Sequence, residues 1–126
     1  MVTAQVEVKP ERKKIQYAYV FDKIIASVSL TRDNIKIDSG HDFVVTHILG
    51  NSTALFYVQI YDSVGNKNWF ENNINSTNLL GSAQYPNKLS KSKFLRAGST
   101  ITFLLYGSGA GANTIQIVLA GYEMPL

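Results

Sequence analysis

Hydrophobic and polar positions alternate with a period of two along most of this chain. Successive side chains of a strand point to opposite faces, so each alternating run predicts a strand with one face inward. In KIIASVSLT, residues 23–31, Ile24, Ala26, Val28 and Leu30 form the expected inward set, against Ile25, Ser27, Ser29 and Thr31. NIKID, residues 34–38, repeats the pattern with Ile35 and Ile37 on one side. DFVVTHILG, residues 42–50, is apolar on both faces, which fits a central strand or one lying under another subunit. ALFYVQIYD, residues 54–62, sets Phe56, Val58 and Ile60 against Leu55, Tyr57, Gln59 and Tyr61. STITFLLYG (99–107) sets Ile101, Phe103 and Leu105 inward, and NTIQIVLAGYE (113–123) does the same with Ile115, Ile117 and Leu119. Enrichment in β-branched and aromatic residues supports both.

Turn chemistry separates these runs. LGN (49–51), DSVGNK (62–67) and RAGS (96–99) carry the Gly and Asn residues that tolerate positive φ, and GSGAGAN (107–113) reads as a hairpin connection. No segment sustains a helical period. Seven or eight short strands between turns predict an all-β antiparallel sandwich or barrel. Residues 1–22 alternate more weakly, through Val2, Ala4, Val6 and Val8 and again from Gln16 to Phe21, broken by Pro10 and charges. They read as an extended N-terminal arm, or an added edge strand, preceding a domain of residues 23–126. Residues 72–93 form a long loop, which Leu79, Leu80, Tyr85 and Leu89 would pin across the end of the sandwich.

Composition narrows the picture. At 126 residues the chain is one domain. Its apolar content, 45%, is near the globular average, whereas 17% charged residues is low, so its surface is polar rather than ionic and suited to partners. It has no cysteine, so disulfides and thiolate chemistry are excluded. The net charge is +3, and KPERKK, residues 9–14, is its densest basic run. That run reads first as a solvated arm and second as a contact to an acidic protein surface or nucleic acid. Tyr17, Tyr19 and Phe21 follow it at strand spacing, so a base-stacking platform is disfavoured. The start lacks the cationic and apolar pattern of a signal peptide, and no apolar run reaches bilayer length. Two glycosylation triplets, at Asn51 and Asn75, read as chance matches without a secretory signal.

No constellation speaks for catalysis. The nine carboxylates are scattered singly at strand ends and turns, with no facing pair for acid–base work. Of the two histidines, His47 shares an expected strand face with Phe43, Val45 and Leu49 and reads as a half-buried structural residue. Asp38 and Asp42 flank a Gly turn, short of the ligand count a calcium ion takes. The glycines of GSGAGAN lack the lysine of a phosphate-binding loop. The expectation is a protein without enzymatic activity, cofactor or metal.

Trp69, the sole tryptophan, follows the DSVGNK turn beside Phe70. On a strand the two would face opposite ways, one inward and one outward. An outward Trp69 would join Tyr57 and Tyr61 in an aromatic patch of the kind enriched at protein interfaces. A flat ring also stacks sugars, which keeps open a carbohydrate- or receptor-binding module with Asn72, Asn73 and Asn75 bonding hydroxyls. The third reading is that these rings cap the core or pair across strands.

The later elements carry a resemblance. ALFYVQIYDSVGNKNWFENN, NLLGSAQYP, FLRAGSTITFLLYG and NTIQIVLAGYEM, in this order, resemble small jelly-roll virion proteins of bacteriophages. The matching positions are Asp62, Trp69, Gly81, Ala83, Pro86, Gly98, Ser99, Thr100 and Gly121, within residues 42–124. The resemblance implies a jelly-roll sandwich of about eight strands, located in the virion as a capsid decoration (cement) or accessory protein. It further implies a homo-oligomer, a trimer first, contacting capsid or other virion proteins and no membrane. Arg12, Lys13, Lys14, Tyr17, Tyr57, Tyr61 and Trp69 are the expected contact residues. A sugar- or receptor-binding role in a spike or tail is the alternative.

Overall fold

A computed structural model of the chain describes residues 15–26, 30–63, 67–82, 84–107 and 112–125. Its strands are β1 (Ile15–Ile25), β2 (Leu30–Lys36), β3 (His41–Ser52), β4 (Phe56–Asp62), β5 (Lys67–Asn68), β6 (Ile74–Asn75), β7 (Asn87–Leu95), β8 (Thr100–Gly107) and β9 (Asn113–Pro125). One short helix, α1 (Ser76–Leu79), lies between β6 and β7. The first sheet has the order β1-β9-β3-β7 and the second β2-β8-β4-β5, with β6 also on β4. All the named strand pairings are antiparallel.

The two sheets share one core. Phe56, Val58 and Ile60 of β4, Ile101, Phe103 and Leu105 of β8, and Ile115, Ile117 and Leu119 of β9 are buried as their alternation predicts. Phe21 of the first sheet stacks on Phe103 of the second, with centroids 4.3 Å apart and planes at 21°. Buried rings of this kind each contribute roughly 1.5–3 kcal/mol through lost water contact. The fold is therefore an all-β two-sheet sandwich.

Several expectations are corrected. Residues 23–31 are not one strand: β1 ends at Ile25 and β2 begins at Leu30. The phase is also reversed, since Ile25 is buried while Ile24 and Leu30 are 68% and 65% exposed. The run spans a change of sheet, across which alternation has no meaning. The proposed boundary at residue 22 falls inside β1, whose eleven residues pair with β9 from Ile15↔Glu123 to Ile25↔Asn113. Of the two readings of this segment, the described part from Ile15 onward is the added edge strand of the first sheet; Arg12, Lys13 and Lys14 lie outside the described residues. GSGAGAN does not close a hairpin, because Gly107 ends a strand of one sheet and Asn113 opens a strand of the other.

β3 also departs from simple alternation. Its pairing slips between Val45 and His47 against both neighbours, with one extra residue on β3 against β9 and three extra residues on β7. This bulge lets Phe43, Val45 and Ile48 all join the core and leaves His47 half-buried outside it, its Nδ1 2.8 Å from the Thr46 hydroxyl. Gly121 of β9 lies opposite Val45, and a Cβ there would overlap the Val44 carbonyl oxygen.

The long loop is mostly structure. Residues 87–95 form β7, an edge strand whose Lys88, Lys91 and Lys93 suit an exposed edge better than a core. Asn75 caps α1, its Oδ1 accepting from the Thr77 N–H (3.0 Å) and hydroxyl (2.9 Å). Leu79 is buried and Leu80 and Leu89 pack on the core, while Tyr85 stands 74% exposed.

Candidate functional site

With Ile101, Phe103 and Leu105 inward, β8 turns Thr102, Leu104 and Tyr106 to the outer face of the second sheet. Register places Tyr57 beside Tyr106, Gln59 beside Leu104, and Tyr61 beside Thr102. β2 continues these rows with Leu30, Arg32 and Asn34. Tyr57 and Tyr106 are each 39% exposed and border a groove of about 620 Å³ floored by Gln59 and Leu104. Asn68, Glu71, Asn72 and Asn73 form its rim. A second depression of about 400 Å³, between Arg32, Tyr61 and Thr102, adjoins it through the shared Asn68 and Leu104.

The rim is held by Gln59, which is buried despite being polar. Its Nε2 donates to the Phe70 carbonyl (2.8 Å), and its Oε1 accepts from the Phe70 N–H (3.1 Å) and from its neighbour Ile60 (3.2 Å). The Trp69 N–H donates to the Ile60 carbonyl (2.8 Å). These bonds fasten residues 69–70 along β4 after the two-residue β5 ends.

Trp69 and Phe70 therefore do not alternate. The chain bends at residue 69, and both rings are half-buried against the core. The Lys93 ammonium of β7 lies 5.8 Å from the Trp69 ring centroid. Tyr57 and Tyr61 share the outer face of the second sheet, but Trp69 does not line the groove with them. Tyr17 belongs to the first sheet, 48% exposed, with its ring edge-on to Tyr19 (5.2 Å) and Phe43 (6.4 Å). The structure thus brings together Tyr57 and Tyr61 and separates Tyr17 and Trp69 from them. Leu104, Tyr106 and Asn68 were missed as site residues. Their outward phase was readable, but their neighbours depended on the β4–β8 register.

The outer face of the first sheet has another character. Rows run Val20–Val118–Leu49, Ala18–Ala120–His47 and Gln16–Tyr122–Val44–Phe94. Val20 and Phe94 are 51% and 53% exposed, so an apolar surface extends across β1, β9, β3 and β7.

Charged groups lie chiefly between strand ends. Lys23 of β1 meets Asp33 of β2 at 3.0 Å, linking the sheets, and this hydrogen bond, with one from the Asn34 N–H, holds the Asp33 carboxyl below its ordinary range. Tyr19 Oη accepts from the Asp38 N–H (3.0 Å). Burial chiefly raises that phenol; the Asp38 bond opposes the rise, and the Glu123 and Asp38 charges add to it. His41 Nδ1 is buried 3.7 Å from Asp38 Oδ1 and 3.9 Å from Glu123 Oε2, beyond hydrogen-bond reach of either. Asp38 Oδ1 instead accepts from the Gly40 N–H (2.7 Å), and Asp42 Oδ1 from that of Ala97 (3.0 Å). Among the described residues no group of three or more His, Asp or Glu side chains is arranged to hold a metal ion, and no helix is long and apolar enough to cross a membrane.

No protein-family profile, curated protein or solved structure matches the chain.

Proposed function

We propose that this chain is a noncatalytic structural component of a bacteriophage particle, a capsid decoration or related accessory virion protein on a jelly-roll sandwich. The strand order carries the reading. The pairs β1–β9, β2–β8, β3–β7 and β4–β5 nest within one another, as in one long ribbon folded back at its middle. With β9 beside β3 and β8 beside β4, this order supports reading the ribbon as wrapped along a jelly-roll path. The resemblance of residues 42–124 to small virion proteins implies the same path and is the second support for this reading.

The outer face of the first sheet supports assembly. Val20, Phe94, Val118 and Tyr122 offer apolar area on a rigid sheet, where a partner subunit would gain most from excluding water. The basic segment with Arg12, Lys13 and Lys14 precedes edge strand β1 and fastens the protein to a neighbouring shell subunit in this reading. The homo-oligomer, a trimer first, is what the resemblance implies, with this face shared between copies in the proposed assembly.

Purified particles from the host that encodes the chain test the proposal. The chain should co-purify with them at stoichiometric occupancy, and deletion of residues 1–14, which stops before β1, should abolish attachment while the isolated domain stays folded. Sedimentation should give an oligomer that Phe94→Asp dissociates. Absence from particles, together with a monomer in solution, would overturn the assignment.

A further inference from the structure

We propose that the groove bordered by Tyr57 and Tyr106 binds a neutral oligosaccharide. A sugar is amphipathic: its C–H faces pack on aromatic rings while its hydroxyls need both donors and acceptors. The groove supplies both. Two tyrosines, opposite one another in register, line it together with Leu104. Around them, the side chains of Asn68, Asn72, Asn73 and Glu71 make no hydrogen bond or ion pair with other described residues. Each amide offers two N–H donors and two acceptor sites, and the carboxylate accepts from hydroxyls.

The same lining disfavours other ligands. A wholly apolar molecule would strip water from these polar groups without replacing it, at about 1–3 kcal/mol for each one left unpaired. A polyanion would meet Glu71 in the groove, with Arg32 in the adjoining depression as the one cation among the lining residues. Nucleic acid needs a run of cations to release counterions.

Size and rigidity agree. The two depressions, about 620 and 400 Å³, fall within the range of small-molecule sites, roughly 300–1,000 Å³. Tyr57 and Tyr61 are separated by about 14 Å along β4 at a rise of roughly 3.4 Å per residue, which suits a short chain of sugar units rather than a single ring. The Gln59 clamp on Phe70 holds the Asn72–Asn73 rim before any ligand arrives, which lowers the ordering cost of binding.

The test is a titration of the full, isotope-labelled chain, read by amide chemical shifts. The probes are neutral hexaoses of α-1,4-glucose, β-1,4-glucose, α-1,6-mannose and β-1,4-N-acetylglucosamine, with a sulfated heparin hexasaccharide and an unstructured acidic peptide for comparison. At least one neutral hexaose should shift amides in 57–59, 68–73 and 104–106. Tyr57→Ala and Tyr106→Ala should each weaken it at least tenfold, and Asn72→Ala and Asn73→Ala, which alter an exposed rim, should weaken it severalfold. Lys91→Ala on β7 should leave it unchanged. No shift with any neutral hexaose, binding indifferent to these variants, or preference for the sulfated sugar or the peptide would each overturn the proposal. Such a failure leaves the virion assignment standing, because that reading concerns the other sheet and is tested on particles.

Discussion

Gln59 and Phe70 are joined by two opposed hydrogen bonds, the carboxamide of one matched to the main chain of the other as a neighbouring strand would be. This side chain does what β5 is too short to do: it extends the second sheet's hold on the chain past Asn68. Gln59→Leu keeps the volume and removes both partners, leaving the Phe70 N–H and carbonyl to find water. The expected loss is about 1–3 kcal/mol in urea unfolding. Because the adjacent Trp69 is the sole tryptophan, its native emission should move to longer wavelength in the variant. An unshifted native baseline would show that the clamp does not hold this segment.

Gly121 should resist substitution more than Gly98. At Gly121 a methyl group meets the Val44 carbonyl oxygen across the β3 bulge, and backbone cannot swing aside as a side chain can. At Gly98, with φ of +76° and nothing within 4 Å, the cost of Ala is the left-handed backbone alone, about 1–2 kcal/mol. Gly121→Ala should exceed that or fail to fold, as chemical denaturation would measure. A milder effect at Gly121 than at Gly98 would rule out the close approach at the bulge.

Tyr19 sets an alkaline limit. Its folded phenol titrates above the ordinary value, mainly through burial, so the neutral form is favoured by folding. That stability is fully present below about pH 10, the ordinary phenol value, and is lost as pH rises through the higher folded value. Tyr19→Phe should flatten this decline above about pH 10. At neutral pH it should cost about 1 kcal/mol, because the Asp38 N–H loses its acceptor. Unfolding midpoints measured from neutral to alkaline pH check both effects.

Asp33 acts at the acid end with the opposite sign. Lys23 and the Asn34 N–H depress its folded value, so its contribution is present above the ordinary carboxylate range and lost as pH falls through the folded value. The pair is solvent-exposed, and water and salt reduce its worth to about half a kcal/mol. Asp33→Asn should remove that part of the acid dependence, and 1 M salt should remove most of it in the parent chain, since the screening length is then about 3 Å. A salt-insensitive difference between the two proteins would argue against the ion pair.

β4, β8 and β9 were legible in the sequence because each is a single run with one face on one core, so a period of two suffices to sort Phe56, Phe103 and Ile117 inward. β7 was not, because an edge strand with three lysines spends few residues on the core and reads as a polar loop. Counting by twos puts His47 on the Phe43–Val45 face, and the bulge after Val45 invalidates the count. Alternation shows Tyr57 and Tyr61 facing outward, whereas their companion Tyr106 emerges only from the β4–β8 register.

The sequence by itself determined the all-β class and most of the buried set, since alternation and turn chemistry are local and act within a few residues. The tertiary structure decided which strands became neighbours, where the ladder slips, and which outward side chains meet in a groove. Those outcomes depend on pairing between residues as distant as Ile15 and Glu123, and on Trp69 leaving its strand, which no local pattern encodes.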